Sequence, residues 1–181
     1  MIAMGLFALG IIALDQILKA WVLANFALGE VRPFIPGLLQ LRYTQNTGMA
    51  FSFLAGHAWV PLILTPLLLI GLGFCLWKKM FPCKVQQLAL AAVMAGGLSN
   101  WIDRLIHGFV VDMLDPVFMR FAVFNLADCF ITLGGIVFFV AYLLSEHRKK
   151  QGQEEQEVQT EPEQEAESDA KQDAEAESAG E

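Results

Sequence analysis

Charged residues are scarce in most of this chain, and the acidic ones are concentrated at its end. Only 17% of the 181 residues are charged, yet residues 151–181 contain twelve of the nineteen acidic residues and a single base, a net charge of −11. Residues 1–150 carry +4, and roughly 94 of them are apolar, far above the roughly 45–50% of soluble domains. We therefore predict a membrane domain over residues 1–150 and a disordered, acidic, cytoplasmic tail over residues 151–181.

The sequence also lacks the signatures of metal, disulfide and nucleic-acid sites. Cys75, Cys83 and Cys129 form no C-x-x-C pair, which argues against a zinc ribbon or a disulfide framework. The three histidines occur singly and not at a metal-binding spacing. No basic stripe or nucleic-acid-binding motif is present. We expect no metal, no cofactor and no nucleic-acid partner.

Four apolar stretches have the length that a bilayer requires, about 20 helical residues each. They cover approximately residues 4–24, 59–77, 86–103 and 128–145. The first stretch has no positively charged leader and no A-x-A cleavage site, so we interpret it as a retained helix and not as a signal peptide. Basic residues at 78–84 and 148–150 mark the cytoplasmic side. This pattern predicts an all-α, multi-pass membrane protein with four transmembrane helices and both termini in the cytoplasm.

The first outer loop carries a strand signal. Residues 39–44 alternate between apolar and polar side chains, and Asn46-Thr47-Gly48 is typical of a turn before residues 50–53. We predict a small extracytoplasmic β-sheet that rests on the outer membrane surface.

Two charged residues interrupt the first apolar stretch. Asp15 and Lys19 are four residues apart, on one face of a helix. We interpret them as an ion pair, which reduces the cost of placing each charge in a membrane. Lys19 could instead serve as the base of a serine–lysine protease, but the neighbouring carboxylate favours a protonated amine.

Polar residues also gather around the second outer loop. Asn100 and Arg104 share a helical face at the end of the third stretch, where Arg104 could simply extend its charge toward the interface. Asp112 follows that stretch, and Asp128 begins the fourth. Asp128 could instead have a structural role. Asn125 can cap the fourth helix, and Asp128, three residues later, can form a hydrogen bond back to Asn125.

Asp112 and Asp128 lie on either side of one loop, so their carboxyl groups can meet. Two carboxylates in a partly dry site share a proton, one acting as base toward a water and the other as acid toward a carbonyl oxygen. This is the chemistry of aspartic peptidases. A small proton-coupled transporter, with Asp15, Asp112 and Asp128 as a proton relay, and a non-enzymatic membrane scaffold are the alternatives.

Five ordered motifs resemble those of the bacterial lipoprotein signal peptidase family, also called signal peptidase II, over nearly all of residues 4–147. The motifs are Asp15-x-x-x-Lys19, Asn46-x-Gly48-x-Ala50-Phe51-Ser52, Gly96-Gly97-x-x-Asn100-x-x-Asp103-Arg104, Val110-Val111-Asp112 and Phe124-Asn125-x-Ala127-Asp128. The resemblance implies four helices with a β-cradle on the outer side. It implies an aspartic endopeptidase of the bacterial inner membrane that cuts prolipoproteins on the N-terminal side of the cysteine carrying a diacylglyceryl group.

The resemblance also implies residue roles. It makes Asp112 and Asp128 the catalytic dyad, near the outer (periplasmic) face, and it makes Asp15 and Lys19 a brace from the first helix. The residues that it places around the substrate and the dyad are Asn46, Gly48, Asn100, Arg104, Asn125 and Ala127. The implied partners are diacylglyceryl-modified prolipoproteins and membrane lipid, and we expect a monomer. The acidic tail does not belong to the family core, and we expect it to be a solvated segment without a role in catalysis.

Overall fold

The computed structural model describes residues 2–48 and 59–151. Their helices and strands, in chain order, are α1 (Ile2–Asn25), β1 (Val31–Ile35), β2 (Leu39–Asn46), α2 (Trp59–Trp77), α3 (Lys84–His107), β3 (Val110–Pro116) and α4 (Leu126–Gln151). The described residues up to Phe139 form one compact unit, and a second begins at Val140, within α4. Residues 50–53 and the acidic segment after Gln151 lie outside the described residues, so what we expect of them stays a prediction.

Three of the helices, α1, α2 and α4, are long and apolar enough to cross a membrane. Their outward side chains confirm a membrane protein: α2 contains no buried residue, and its Leu67 and Ile70 are 60% and 70% exposed. So much exposed apolar surface is suited to lipid and not to water. The predicted third span is α3, which carries more polar residues. That α3 also crosses the membrane stays a prediction.

Helix α3 packs closely against α4 at small residues. A Cβ atom at Gly96 would lie 2.5 Å from the carbonyl oxygen of Ala127, and one at Gly134 would lie 2.8 Å from that of Ala89. Glycine at both positions therefore allows the two backbones to approach, as small residues often do between membrane helices. Gly97 faces α2, where an added Cβ would make only a 3.4 Å contact with Leu69.

Helix α2 continues through a proline because α3 supplies a hydrogen-bond donor. Pro66 lies inside α2 and has no N–H for the carbonyl of Leu62. The indole Nε1 of Trp101 in α3 donates to that carbonyl oxygen at 2.9 Å. Trp101 thus satisfies a backbone acceptor that lipid could not satisfy.

The three strands form an antiparallel sheet in the order β1-β2-β3, so the predicted small sheet is confirmed and its predicted strand, residues 39–44, lies within β2. The sequence did not indicate β1 or β3. Strand β1 is exposed along its whole length, and β3 is buried on both faces, so neither shows the alternation that identifies a half-buried strand. Strand β3 carries Asp112, which pairs in register with Thr44 of β2.

The path from α3 into β3 is set by Gly108. Its φ of 79° lies in the left-handed region, and its N–H donates to the carbonyl of Arg104, which ends the helix. The strand begins two residues later. Apolar packing then fixes the sheet against the end of α1, through the buried cluster of Val22, Phe26, Tyr43, Val111 and Met113. Asp112 is consequently held at a defined position beside the helices.

Candidate active site

Asp112 is buried in β3, with 1% of its surface exposed. Its Oδ1 accepts a hydrogen bond from Asn125 Nδ2 at 2.7 Å, and its Oδ2 accepts one from Asn46 Nδ2 at 3.0 Å. Gly48 orients the Asn46 amide, since the Gly48 N–H donates to Asn46 Oδ1. Burial raises the pKa of Asp112 to about 6, with a further increase from the charge of Asp128, and the two asparagine donors oppose this rise.

Asp128 is half-buried in the first turn of α4, where it forms a reciprocal cap with Asn125. The Asp128 N–H donates to Asn125 Oδ1 at 2.9 Å, and the Asn125 N–H donates to Asp128 Oδ2 at 3.2 Å. The structural interpretation of Asp128 as part of a helix cap therefore describes one of its two oxygens. The other, Oδ1, accepts a hydrogen bond from Asn100 Nδ2 at 2.8 Å.

Two asparagines connect the carboxyl groups of Asp112 and Asp128. Asn125 Nδ2 donates both to Asp112 and to Asn100 Oδ1, the latter at 3.1 Å. Asn100 Oδ1 also accepts from Lys19 Nζ at 2.8 Å, and because an ammonium can only donate, this contact fixes the orientation of the Asn100 amide. Its Nδ2 must then point to Asp128. The two aspartates thus belong to one hydrogen-bonded site.

Lys19, which contacts Asn100, also forms a cluster with two carboxylates. Its Nζ is 2.7 Å from Asp15 Oδ2, as an ion pair would require, but it is also 2.9 Å from Asp103 Oδ2. We call Asp15, Lys19 and Asp103 the Lys19 cluster; their side chains are at most 2% exposed. With the Asn100 contact, all three N–H donors of Lys19 have acceptors. This arrangement suits an ammonium and leaves no lone pair for a serine–lysine mechanism.

Three polar residues of this site were given no role in the sequence analysis, although Asp103 belongs to one of the five motifs. Asp103 is a full member of the Lys19 cluster, Ser99 Oγ donates to Asp15 Oδ2 at 2.7 Å, and Gln16 Nε2 donates to Asp103 Oδ1 at 2.8 Å. Their signal was available, because each is a polar residue next to an already suspected one in an apolar segment. Polar residues in such segments generally face the interior of the helix bundle.

Arg104 and Ala127 complete the set of sequence-predicted residues. Arg104 Nη1 donates to the carbonyl of Asn100 at 3.2 Å, and the Ala127 N–H donates to Asp15 Oδ1 at 2.9 Å. The buried Nε of Arg104 has no acceptor among the residues that the structure describes. All ten predicted residues are thereby part of one connected polar network. In residues 2–48 and 59–151 no group of three potential metal ligands is found.

Comparison with known proteins identifies the family. The family model described as signal peptidase (SPase) II matches residues 7–144. The lipoprotein signal peptidase of Lactococcus lactis subsp. cremoris (strain MG1363) is 41% identical over 149 residues, which cover 82% of this chain and 98% of the relative. That of Streptococcus pyogenes serotype M2 (strain MGAS10270) is 42% identical over 139 residues, 72% of this chain and 86% of the relative.

A solved structure shows the same architecture. It is described as a bacterial membrane enzyme determined by the in meso method at 2.3 Å resolution, is 31% identical, and superimposes with a TM-score of 0.76 over 81% of this chain and 91% of the other. The family match covers well over half of the chain and includes the whole polar network. This bacterial membrane protein therefore belongs to the signal peptidase II family and is a peptidase.

Proposed function

We propose that this protein is an aspartic endopeptidase that removes the signal peptide from prolipoproteins, with Asp112 and Asp128 as its catalytic dyad. The observation that carries the proposal is the position of Asn125, whose side chain donates to Asp112 and whose backbone N–H donates to Asp128. One residue thereby holds two carboxylates at a single site. The side chains that donate to the two carboxyl groups are the amides of Asn46, Asn100 and Asn125, none of which is a nucleophile.

The chemistry follows from two carboxylates that share one proton. The ionised member takes a proton from a water molecule, and the water oxygen attacks the carbonyl carbon of the scissile peptide bond. The protonated member donates to the carbonyl oxygen as negative charge develops there. The raised pKa of Asp112, about 6, is consistent with a pair that holds a proton in mildly acidic solution. In this scheme the two aspartates share the proton, and it is not assigned to either of them alone.

The substrate is proposed to be a prolipoprotein whose cysteine carries a diacylglyceryl group, cut on the N-terminal side of that cysteine. Both relatives named above are lipoprotein signal peptidases. The exposed apolar faces of α1, α2 and α4 allow a lipid-anchored substrate to approach from within the bilayer. Arg104 lies beside Asn100 and is partly exposed, so its guanidinium group can donate to a backbone carbonyl of the substrate.

The proposed topology places the dyad at the outer face of the cytoplasmic membrane, with both termini in the cytoplasm. The basic residues at 78–84, between α2 and α3, and at 148–150, at the end of α4, support this orientation. The sheet and the dyad are then at the opposite end of α3 from residues 78–84. A monomer is sufficient for this proposal, because all ten predicted residues of the network come from one chain.

The test is cleavage of a purified, diacylglyceryl-modified prolipoprotein by wild type, Asp112→Asn and Asp128→Asn in detergent. Each substitution is expected to abolish cleavage, because an amide can neither share the proton nor serve as a base. Both variants should still unfold cooperatively on heating. If either variant keeps more than a few per cent of wild-type turnover, the dyad assignment is wrong. Release of a product cut elsewhere, found by mass spectrometry, would contradict the proposed cleavage position.

A further inference from the structure

The two carboxylates of the Lys19 cluster accept hydrogen bonds from the backbone N–H groups of the residues that directly precede the two proposed catalytic aspartates. Asp15 Oδ1 accepts a hydrogen bond from the N–H of Ala127, the residue that precedes Asp128, at 2.9 Å. Asp103 Oδ2 accepts one from the N–H of Val111, the residue that precedes Asp112, at 3.1 Å. The two halves of the dyad, on different elements of the fold, are thus attached to the two carboxylates that Lys19 joins.

We propose that Asp103 is a positioning residue for Asp112, as Asp15 is for Asp128, and that Lys19 sets the separation of the dyad by joining them. This inference rests on the proposed function, since it takes Asp112 and Asp128 to be the reacting groups. It assigns Asp103 a specific part in the reaction, which it performs without touching the substrate.

The geometry makes Asp103 a rigid support. Both of its oxygens are occupied, Oδ1 by Gln16 Nε2 and Oδ2 by Lys19 and the Val111 N–H, so the carboxylate cannot rotate without losing a contact. It is 1% exposed, and no bulk water is at hand to replace a lost partner. Val111 is fully buried. If a substitution removed the Asp103 oxygen, the N–H of Val111 would lose this acceptor in a place that water does not reach, which is energetically costly. Strand β3, and Asp112 with it, would then shift.

A small shift of Asp112 is expected to affect the chemical step far more than substrate binding. Misplacement of a reacting group by about 1 Å can lower a rate about 100-fold. Asp103 is separated from the dyad by the backbone of Val111, so its loss removes no substrate contact in this scheme. The expected signature is therefore a fall in kcat with KM nearly unchanged.

Asp115 offers a matched control on the same strand. Like Asp103 it is a buried carboxylate, 7% exposed, with both a cationic and an amide partner, Arg42 at 3.4 Å and Gln40 at 2.7 Å. It lies three residues beyond Asp112 in β3. Its partners are side chains of the sheet and do not include an N–H next to the dyad. Loss of this carboxylate tests whether any damage to β3 lowers kcat.

The experiment compares Asp103→Asn with Asp103→Leu in the full-length protein, using the lipidated prolipoprotein as substrate. Both variants lose the charge that faces Lys19, but only asparagine keeps an oxygen that can accept from the Val111 N–H. We expect kcat to fall less than about 10-fold for Asp103→Asn and about 100-fold for Asp103→Leu, with KM within about two-fold of wild type in both. Asp115→Leu should keep kcat within about two-fold, because its loss does not displace Asp112.

Several outcomes would overturn the inference. Equal losses of kcat in the two Asp103 variants would show that only the charge matters, and a raised KM with normal kcat would place Asp103 in substrate binding. A similar loss of kcat in Asp115→Leu would show a general sensitivity of β3. If Asp103→Leu does not fold, Asp103→Glu replaces it: its longer side chain displaces Val111, and an unchanged kcat would refute positioning.

The outcome also separates this inference from the proposed function. Normal cleavage by the Asp103 variants, with Asp112→Asn inactive, would remove the positioning role and leave the dyad in place. Cleavage by Asp112→Asn would remove the dyad itself, whatever the Asp103 variants do.

Discussion

Two charged clusters of similar composition occupy different regions of this molecule. The Lys19 cluster joins a lysine to Asp15 and Asp103 among the helices, with every side chain at most 2% exposed. The cluster on the sheet joins Arg42 to Asp115, with Gln40 as a third partner, and its arginine side chain is 46% exposed. In the Lys19 cluster the lysine and both carboxylates are shielded from water, whereas in the sheet cluster the side chain of Arg42 is partly exposed.

The difference determines how much each cluster depends on its members. Exposed ion pairs contribute little, typically about 0–1 kcal/mol, because solvent screens both charges. Removal of one partner from a buried cluster leaves the other charge unpaired and costs about 3–5 kcal/mol. The Lys19 cluster also holds backbone N–H groups of α4 and β3, which the sheet cluster does not. The Lys19 cluster thus fixes the positions of backbone segments, whereas the ion pair on the sheet connects side chains only.

The largest effect is expected for Lys19→Met. It leaves Asp15 and Asp103 buried without their cation, and we expect the free energy of unfolding to fall by about 3–5 kcal/mol together with a loss of cleavage. Thermal unfolding in detergent measures this, with Arg42→Met as the control in the sheet cluster. The double variant Asp15→Leu with Lys19→Met should not recover the loss, since Asp103 stays unpaired. Full recovery would show that Asp103 is not an essential partner.

The next largest effect is a pH dependence from Asp112. Burial raises the pKa of Asp112 from 3.8 to about 6, so in this range the folded protein keeps a proton that the unfolded chain has released. The resulting stability is fully present below about pH 4 and is lost as the pH rises through about 6, by up to about 3 kcal/mol. Unfolding temperatures of wild type should therefore fall more steeply over this range than those of Asp112→Asn. If the unfolding temperatures of wild type and Asp112→Asn changed in parallel with pH, the raised pKa of Asp112 would be contradicted.

A smaller effect is expected when the Lys19 cluster is disturbed through the backbone. In Gly96→Ala the new methyl group would meet the carbonyl oxygen of Ala127 at 2.5 Å and push α4 away from α3. The bond between the Ala127 N–H and Asp15 would lengthen, and we expect a loss of about 1–3 kcal/mol with slower cleavage. Gly97→Ala, which meets only a flexible leucine, is the control. Equal unfolding temperatures and rates for the two variants would count against this mechanism.

The smallest effect belongs to the sheet cluster. Arg42→Ala removes a partner that is 46% exposed and lies 3.4 Å from Asp115, so we expect a stability loss of at most about 1 kcal/mol and unchanged kcat. Gln40 still donates to Asp115 at 2.7 Å in that variant. Equilibrium unfolding and the cleavage assay test both expectations. A loss as large as that of Lys19→Met would remove the distinction between the two clusters.

Much of this architecture could be predicted from local sequence, and the exceptions have identifiable causes. The four helices follow the four apolar stretches, and residues 39–44 alternate and form part of β2. Strand β3 was not predicted because it is buried on both faces, and β1 because it is exposed on both. The Asp15–Lys19 pair was predicted from its i,i+4 spacing. Asp103 was not, because it comes from α3, 84 positions further along the chain than Lys19.

The sequence by itself determined which residues belong to lipid, which polar residues are out of place in it, and which motifs accompany them. These are properties of composition and spacing, and they follow from the cost of placing charge in a bilayer. Only the tertiary structure decided how those residues are joined: that Lys19 serves two carboxylates, that Asn125 holds both aspartates, and that Asp103 supports β3. A hydrogen bond depends on distances of about 3 Å between groups that are far apart in the chain, and only the packing of the helices and the sheet sets those distances.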